Sequence, residues 1–384
     1  MNWPICQIGE FVDSGVAEIQ TGPFGTQLSA SDYTRDGTPV INVRNIGYAN
    51  LRNEKLEYVG EDVTERLAAH LLQPNDIVFG RKGAVDRHLF VTSEHENWMQ
   101  GSDCIRLRFA TDVVLPRFAS YAFLRNGHQK WMLAQAGNKA TMASLNQDII
   151  KRIPLTLPPR TIQIEIVKTL SAYDALIENN LRRIALLEES AQLLYREWFV
   201  SLRFPGYEHS HIVDGVPEGW ERKTLGECVT LNYGKALKAE LRVDGEFPVY
   251  GSSGIVGSHN KPLVTGPAII LGRKGNVGSV YWSAKSFFPI DTVYFVDAES
   301  SNLHLFYALK HMHFLSTDVA VPGLNRDFAY SRPYLCPSSQ VLKSFLEIVN
   351  PIHMQLDKLE ALNQKLRAAR DLLLPRLMSG EINV

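Results

Sequence analysis

The sequence is poor in the features that mark disulfide-stabilised, zinc-stabilised or membrane-spanning proteins. Only four cysteines occur among 384 residues, and no two of them form a CxxC pair. A structural zinc site or a disulfide framework is therefore not expected. The N-terminal segment lacks the charged and apolar regions of a signal peptide, and no apolar run is long enough to span a membrane. We expect a soluble protein of the reducing cytoplasm that makes no membrane contact.

The sequence also lacks an excess of charge of either sign. Its 40 basic and 41 acidic residues give a net charge of -1. This balance neither marks nor excludes a nucleic-acid-binding protein, because basic patches can lie on an acidic background. The length of the chain allows two or three domains.

Common catalytic signatures are missing as well. The sequence has no GxxxxGK[ST] phosphate-binding loop, no HExxH zinc motif and no GxSxG nucleophile elbow. It has no Asn-Pro-Pro-aromatic tetrapeptide of adenine methyltransferases, since Asn350-Pro351 lacks the second proline. A metal site at His304, His311 and His313, which share one predicted helix, is not favoured. We predict no catalytic residue and no bound metal.

What the sequence does contain is an internal repeat. GRKGAV at 80–85 returns as GRKGNV at 272–277, each time after a short apolar run. Further matches follow in the same order in both halves, namely Gly9-Glu10 with Gly226-Glu227, Pro39-Val40 with Pro248-Val249, Asp103 with Asp291, and LNQD at 145–148 with LNRD at 324–327. Chance could repeat one tetrapeptide, but an ordered series indicates a duplicated domain whose loops have shortened.

Each half is predicted to be a mixed, strand-rich lobe. VFGRKGAV and AIILGRKGNVGSVYW predict strand–turn–strand, with glycine at the turn. CIRLRF alternates apolar and basic residues, as a half-exposed strand would. A helical stretch follows, and the proline-rich segments IPLTLPPR and RPYLCPSSQ then end the lobes.

A heptad pattern follows each proline-rich segment. Apolar residues recur at alternating steps of three and four, which is typical of a helix that packs against another helix. A single helix packed on its own lobe is the alternative. The predicted inter-helix seam comprises Leu170, Ile177, Asn180, Ile184, Leu187, Leu194, Trp198, Leu356, Leu359, Asn363, Leu366, Leu373 and Leu377.

The heptad pattern contains three irregular positions, namely Asn180 and Asn363 of the predicted seam and Arg370 beside it. Asn180 and Asn363 would fix the register of the helices at a cost in stability. Arg370 is a charged residue in this pattern, and Pro351 should kink the second helix or delay its start.

These patterns predict an α+β protein with two similar lobes separated by two long antiparallel helices, with approximate two-fold symmetry. The predicted boundaries are 1–157 for the first lobe, 158–204 for the first helix, 205–336 for the second lobe and 337–384 for the second helix. From Leu170 to Trp198 a helix rises about 43 Å. Half-sites one turn apart on B-DNA lie roughly 34–36 Å from each other. The helices are therefore predicted to set the distance between two DNA contacts.

Polar and basic loops of both lobes suit DNA contact. Glycine-rich backbone with Arg and Lys holds phosphates, while Asn, Gln, Ser and Arg side chains read base edges. The candidate DNA-binding residues are Thr26, Gln27, Tyr33, Arg44, Asn45, Arg81, Lys82, Arg87, Lys139, Lys235, Lys238, Ser252, Ser253, His259, Lys261, Arg273, Lys274, Asn276, Asn325 and Arg326. The alternative is that these loops are solvated turns, and that the GRKG glycines only shape hairpins.

Two further segments are recognisable, one from LPPRTIQIEIVKTL to WFVSLRFPG and the other LLLPRLMSGEINV. They are similar to the central helix region and to the distal conserved region of the specificity subunits of type I restriction–modification enzymes, which the chain as a whole resembles. VPEGWERKTLGE resembles the opening of the second target-recognition domain, while TGPFGTQLSASDYTRDGTPVINVRNI and the GRKG segments resemble recognition-domain motifs. The segment PSSQVLKSFLEIVNPIHMQL departs from the usual proline-proline start of the second helix region.

The resemblance implies a non-catalytic reader of double-stranded DNA whose lobes are target-recognition domains for an asymmetric, bipartite site. It implies two methyltransferase subunits that methylate adenine, and motor–nuclease subunits, as partners. S-adenosylmethionine, ATP and Mg are expected on those partners, and no cofactor on this chain. Two other classes stay open: a DNA methyltransferase or nuclease with an unrecognised active site, and an assembly scaffold that does not read DNA.

Overall fold

The chain divides into two compact units, each of which contains one half of the repeat. The computed structural model describes residues 3–23, 25–52, 54–110, 113–136, 144–314 and 323–382. Unit 1 comprises Met1–Ile177 and Gln364–Val384, and unit 2 comprises Glu178–Asn363. No helix within the described ranges is long and apolar enough to cross a membrane.

Unit 1 combines short strands with short helices. Its strands are β1 (Ile5–Gln7), β2 (Ala17–Thr21), β3 (Tyr33–Thr34), β4 (Thr38–Ile41), β5 (Glu57–Val59), β6 (Ile77–Gly80), β7 (His88–Phe90), β8 (Met99–Gln100), β9 (Cys104–Phe109) and β10 (Pro154–Thr156). Its helices are α1 (Ile8–Asp13), α2 (Glu61–Arg66), α3 (Pro116–Phe123), α4 (Asn126–Ala136), α5 (Gln147–Lys151) and the first part of α6 (Arg160–Tyr195).

The centre of unit 1 is a four-stranded antiparallel sheet in the order β2–β9–β6–β7. A second four-stranded sheet has the order β3–β5–β4–β8, in which β4 and β8 are parallel. Strand β1 pairs with β10, so the beginning and the end of the first lobe meet. Ile8 of α1, Phe118 of α3, and Phe79 and Ile105 of the central sheet are buried in one shared core.

Unit 2 contains the second set of strands and helices. Its strands are β11 (Ile212–Val213), β12 (Val216–Pro217), β13 (Glu221–Thr224), β14 (Asn232–Tyr233), β15 (Phe247–Gly251), β16 (Gly254–His259), β17 (Ala268–Gly272), β18 (Val280–Ser283), β19 (Phe288–Pro289), β20 (Val293–Val296) and β21 (Pro333–Cys336). Its helices are α7 (Leu225–Cys228), α8 (Leu303–His311), α9 (Arg326–Tyr330) and most of α10 (Ser339–Met378). Helix α6 ends in a π-helical turn at Arg196–Val200.

The strand order of unit 2 reproduces that of unit 1. The central sheet runs β14–β20–β17–β18, so the strands that flank each GRKG turn occupy the same places in both units. Strand β15 is parallel to β19 as β4 is to β8, and β13 pairs with β21 as β1 does with β10. The two GRKG hairpins are antiparallel, as the sequence predicts. This common topology confirms the α+β fold and the duplication.

Strand β9, the CIRLRF segment, differs from its prediction as a half-exposed strand. Ile105, Leu107 and Arg106 are all buried. The Arg106 guanidinium donates to the Ala69 carbonyl oxygen at 3.1 Å and to the Gln20 side chain. The prediction of exposure was wrong because a basic residue can face inward when backbone and side-chain oxygens accept its N–H groups.

The two long helices run antiparallel in each unit. In unit 1, Asp174 of α6 binds Arg370 of α10. In unit 2, the Asn180 amide donates to the Asn363 carbonyl oxygen at 2.9 Å, and the rings of Trp198 and Phe345 lie 5.9 Å apart. Later residues of α6 therefore meet earlier residues of α10. All residues of the predicted seam are buried or half-buried.

Pro351 does not delay α10, which begins at Ser339, well before the proline, and continues through it. That part of the prediction was wrong. A proline inside a helix costs about 3 kcal/mol. Phe345 and Val349, which precede it on the helix, are fully buried in the core of unit 2. We attribute the early start to this packing, because burying large apolar side chains offsets a cost of that size.

The charged residue Arg370 is tolerated in the heptad pattern because it belongs to an ionic cluster in unit 1. Its guanidinium lies 2.8 Å from one carboxylate oxygen of Asp174, and Arg117 of α3 lies 2.8 Å from the other. The Tyr121 hydroxyl also donates to Asp174, at 2.5 Å. One carboxylate thus joins α3, α6 and α10. The four predicted domain segments stay a prediction, since the compact units divide both long helices.

We expect the free energy of unfolding to fall when one asparagine of the Asn180–Asn363 pair is replaced, and to fall much less when both are replaced. Asn180→Leu leaves a buried amide without a partner and should lower the free energy of unfolding by about 1–3 kcal/mol. The double variant Asn180→Leu/Asn363→Leu should recover most of this loss, because neither polar group remains. Urea unfolding curves of the wild type, both single variants and the double variant provide the measurement. A double variant that loses the sum of both single effects would contradict this account.

We expect Asp174→Asn to destabilise unit 1, because it removes the charge that holds two arginines. The loss should be about 1.5–3 kcal/mol, as for hydrogen bonds to charged groups. Glu178→Gln on the same helix is the matched control, since its ion pair with Arg182 has side chains 58% and 66% exposed. The control should change stability by less than about 0.5 kcal/mol. Equal losses for both variants, measured by thermal unfolding, would exclude a special role for the cluster.

Candidate nucleic-acid interface

In unit 2 the GRKG turn is held by backbone hydrogen bonds. The N–H groups of Arg273 and Lys274 donate to the Thr292 carbonyl oxygen at 2.9 and 3.1 Å. The Leu324 N–H donates to the Arg273 carbonyl oxygen at 2.8 Å. The LNRD segment therefore lies directly beside the turn. Gly275 has a φ of +79°, a conformation that L side chains rarely adopt, which explains the second glycine of the turn.

Unit 1 uses the same backbone arrangement. The Arg81 N–H donates to the Asp103 carbonyl oxygen at 2.7 Å, and the Leu145 N–H donates to the Arg81 carbonyl oxygen at 2.7 Å. Gly83 has a φ of +77°. The repeated GRKG and LN motifs are thus joined by a backbone hydrogen bond into one structural element, which is present in both units.

An exposed tyrosine lies between two arginines beside the GRKG turn of unit 2. The Arg273 guanidinium lies 5.0 Å from the centre of the Tyr233 ring, and the Arg326 guanidinium lies 5.2 Å from it. Tyr233 is 47% exposed. Tyr233 was not among the predicted DNA-binding residues, although an aromatic residue directly before Gly234-Lys235 was a usable signal. We call Tyr233, Arg273 and Arg326 the arginine–tyrosine cluster.

The Ser252-Ser253 turn joins the same surface. The Asn276 amide donates to the Ser253 hydroxyl at 3.3 Å, and the Ser279 hydroxyl donates to the Ser252 carbonyl oxygen at 2.7 Å. The structure therefore brings together predicted candidates from three separate loops. Ser253 is exposed, whereas the Ser252 side chain is largely buried.

In unit 1 the basic residues near the GRKG turn have defined partners. The Lys82 ammonium lies 3.1 Å from the Asp103 carboxylate. The Arg87 guanidinium lies 5.2 Å from the centre of the Tyr48 ring, and the Tyr48 hydroxyl donates to Asp86 at 2.7 Å. These contacts orient the side chains while leaving Lys82 and Tyr48 exposed.

Some predicted DNA-binding residues have structural roles. Asn45 is fully buried, and its amide donates to the carbonyl oxygens of Arg52 and Glu54. These hydrogen bonds shape the loop and occupy the amide, and DNA contact by Asn45 stays a prediction. Asn325 caps α9 by accepting the Asp327 N–H at 2.7 Å.

The remaining candidates are either engaged within the protein or exposed. The engaged ones are Arg44, which is paired with Glu57 at 2.6 Å, His259, which accepts the Val243 N–H at 3.1 Å, and the half-buried Tyr33. Lys139 lies outside the described residues. Candidates that are exposed but not connected to a GRKG turn by a side-chain contact are Thr26, Gln27, Lys235, Lys238 and Lys261.

Of the three histidines expected on one helix, His304 and His311 lie on α8, whereas His313 follows its end. No group of three metal-ligating side chains occurs in the described part of the chain. His304 is buried, and its Nδ1 lies 3.0 Å from the Tyr334 hydroxyl. Burial lowers the pKa of His304 to about 3, so it is a neutral core residue at physiological pH. The fold does bring two cysteines together that are distant in sequence: the sulfurs of Cys228 and Cys336 lie 3.4 Å apart as free thiols.

Comparisons with known proteins agree with this architecture. The family model described as "Type I restriction modification DNA specificity domain" matches residues 9–189 and 217–326, which together make up most of the chain. The specificity subunit of the type I restriction enzyme MjaIX from Methanocaldococcus jannaschii is 23% identical over 307 residues, covering 71% of this chain and 70% of that protein. The HindI specificity subunit from Haemophilus influenzae is 21% identical, covering 82% of this chain and 88% of that protein.

A solved structure shows the same fold. The crystal structure of the S subunit of a type I restriction–modification system from M. genitalium superposes with a TM-score of 0.63 at 20% identity, covering 98% of this chain and 96% of that one. The family match over both halves, together with the duplicated lobes and the antiparallel helices, leads to one conclusion: the chain belongs to the specificity subunits of type I restriction–modification enzymes, the non-catalytic components of those systems.

Proposed function

We propose that this chain recognises a specific, asymmetric and bipartite sequence in double-stranded DNA, with one unit for each half-site. The observation that carries the proposal is the element built twice from a GRKG turn and an LN segment. Its backbone is the same in both units, but the side chains around it differ. A common framework with different side chains suits two readers of different sequences.

The chemistry of these surfaces suits DNA. Exposed Lys82 and Lys274 on the two turns offer charge to phosphates, which position a protein on the duplex without reading it. The exposed Arg326 guanidinium is suited to the acceptor pair of guanine in the major groove. The proposed roles are therefore phosphate binding by the lysines and base reading by this arginine.

We also propose that two methyltransferase subunits and the motor–nuclease subunits bind this chain. The long helices support this, because they expose large apolar side chains that a bound subunit would cover, namely Leu176, Leu186, Leu193, Met354 and Leu372. S-adenosylmethionine, ATP and Mg would be held by those partners, and adenine methylation would occur there. The cytoplasmic location and the setting of the half-site distance by the helices stay predictions.

A methylation map of the host strain tests the function directly. We expect an adenine-methylated bipartite motif that disappears when this gene is deleted and returns when it is supplied again. The purified chain alone should neither methylate nor cut DNA when S-adenosylmethionine, ATP and magnesium are present, which separates the proposal from an enzyme with an unrecognised active site. A map without any motif that depends on this gene would instead favour a scaffold that does not read DNA.

Phosphate binding by the GRKG turns predicts a change in salt dependence. Lys274→Ala and Lys82→Ala should each weaken DNA binding by the complex and reduce the slope of log K against log salt by about one. Lys343→Ala is the matched control, because Lys343 has a 78% exposed side chain on α10 and belongs to neither turn. Fluorescence anisotropy over a range of salt concentrations gives the slopes. Unchanged slopes for both turn variants would make the lysines solvated residues of structural hairpins.

A further inference from the structure

The two units differ in charge at one matched position of the shared element. The segments LNQD and LNRD align residue for residue, so Gln147 in unit 1 corresponds to Arg326 in unit 2. Both side chains are exposed, and both follow the leucine whose N–H binds the arginine carbonyl oxygen of the GRKG turn. The difference therefore lies on a common backbone.

Each of these side chains is held by a residue of the first strand of its central sheet. The Gln147 amide donates to the Thr21 hydroxyl at 3.0 Å, and Thr21 ends β2. Arg326 lies against Tyr233, which ends β14. Strands β2 and β14 occupy the same place in their sheets. The substitution at the matched position is thus accompanied by a substitution of its neighbour, from a hydrogen-bonding threonine to an aromatic ring.

Arg326 is the member of the arginine–tyrosine cluster that is free to bind a ligand. Arg273 is only partly exposed, donates to the Asp291 carbonyl oxygen at 3.2 Å and also lies 5.7 Å from the Tyr294 ring. Arg326 is exposed and contacts the rings of Tyr233 and Tyr330, at 5.2 and 5.9 Å from their centres. The rings restrict its guanidinium while the N–H groups stay available, which lowers the entropic cost of binding.

Gln147 is also arranged for binding. Thr21 accepts one N–H of its carboxamide. The second N–H and the carbonyl oxygen remain, and these are the donor and the acceptor that match N7 and N6 of adenine. An arginine fork instead matches O6 and N7 of guanine.

We propose that residues 326 and 147 are matched specificity-determining residues: Arg326 reads a guanine in the half-site of unit 2, and Gln147 reads an adenine in the half-site of unit 1. This inference rests on the proposed DNA-reading function and adds the residue and the base for each half-site. Tyr233 and Thr21 are positioning residues that hold the two reading side chains.

Methylation maps of strains that carry single variants in the complete complex test the inference. Arg326→Gln should lower methylation at wild-type sites by roughly 10- to 100-fold and relax or change one guanine position in a single half of the motif. Gln147→Arg should alter one adenine position in the other half only. Lys343→Gln on α10 removes the same charge as Arg326→Gln outside the element and should leave the motif unchanged.

Arg326→Lys separates base reading from phosphate binding, since lysine keeps the charge and loses the fork. We expect it to fail at the guanine as Arg326→Gln does. Restoration of wild-type methylation by lysine would overturn the inference, and so would an Arg326→Gln variant whose motif and methylation level are unchanged. A wild-type strain without any bipartite motif that depends on this gene would instead refute the proposed function. Thermal unfolding of each purified complex shows whether the variants fold.

Discussion

The backbone hydrogen bond between each LN segment and its GRKG turn is the interaction on which the candidate surfaces depend. In unit 1 it joins Leu145 to Arg81, and in unit 2 it joins Leu324 to Arg273, at 2.7 and 2.8 Å. Because the bond uses only backbone atoms, every exposed side chain around it is free to change. The leucines anchor the element, since both are buried in the cores of their units. A conformation fixed from the backbone is thus kept in both units while the exposed side chains around it differ.

The contacts of the long helices show the same separation between conserved geometry and changed chemistry. The spacing that relates LNQD at 145–148 to LNRD at 324–327 also relates the two long helices, and it matches Asp174 of α6 with His353 of α10. In unit 1 Asp174 joins two arginines and Tyr121, whereas in unit 2 the His353 Nε2 lies 2.8 Å from the Tyr307 hydroxyl. Burial, with a smaller contribution from Lys310, lowers the pKa of His353 to about 4. An ionic contact therefore attaches α6 to α3 in unit 1, and a neutral hydrogen bond attaches α10 to α8 at the matched position of unit 2.

The Asn180–Asn363 pair illustrates what antiparallel packing adds to a repeat. In the alignment of the two helices, Asn180 corresponds to Leu359 and Asn363 corresponds to Ile184. The asparagines are thus not repeats of each other, yet they form the 2.9 Å hydrogen bond. Two buried amides at non-matching positions meet because one helix runs in the opposite direction to the other. The single pair therefore specifies one register out of several that the leucines alone would permit.

The sequence by itself determined the duplication, the strand–turn–strand hairpins, the heptad helices and the family. These features are local or periodic: glycine in the left-handed region at Gly83 and Gly275, and apolar steps of three and four, depend on residues close together in the chain. Only the tertiary structure decided which polar residues are accessible. Asn45 and Arg106 are buried because oxygens from other segments accept their N–H groups. The Tyr233 ring belongs to the candidate surface because it contacts Arg273 and Arg326, which are distant from it in the sequence. The free energy of a polar side chain depends on partners that the chain brings together only on folding, so composition and spacing do not reveal them.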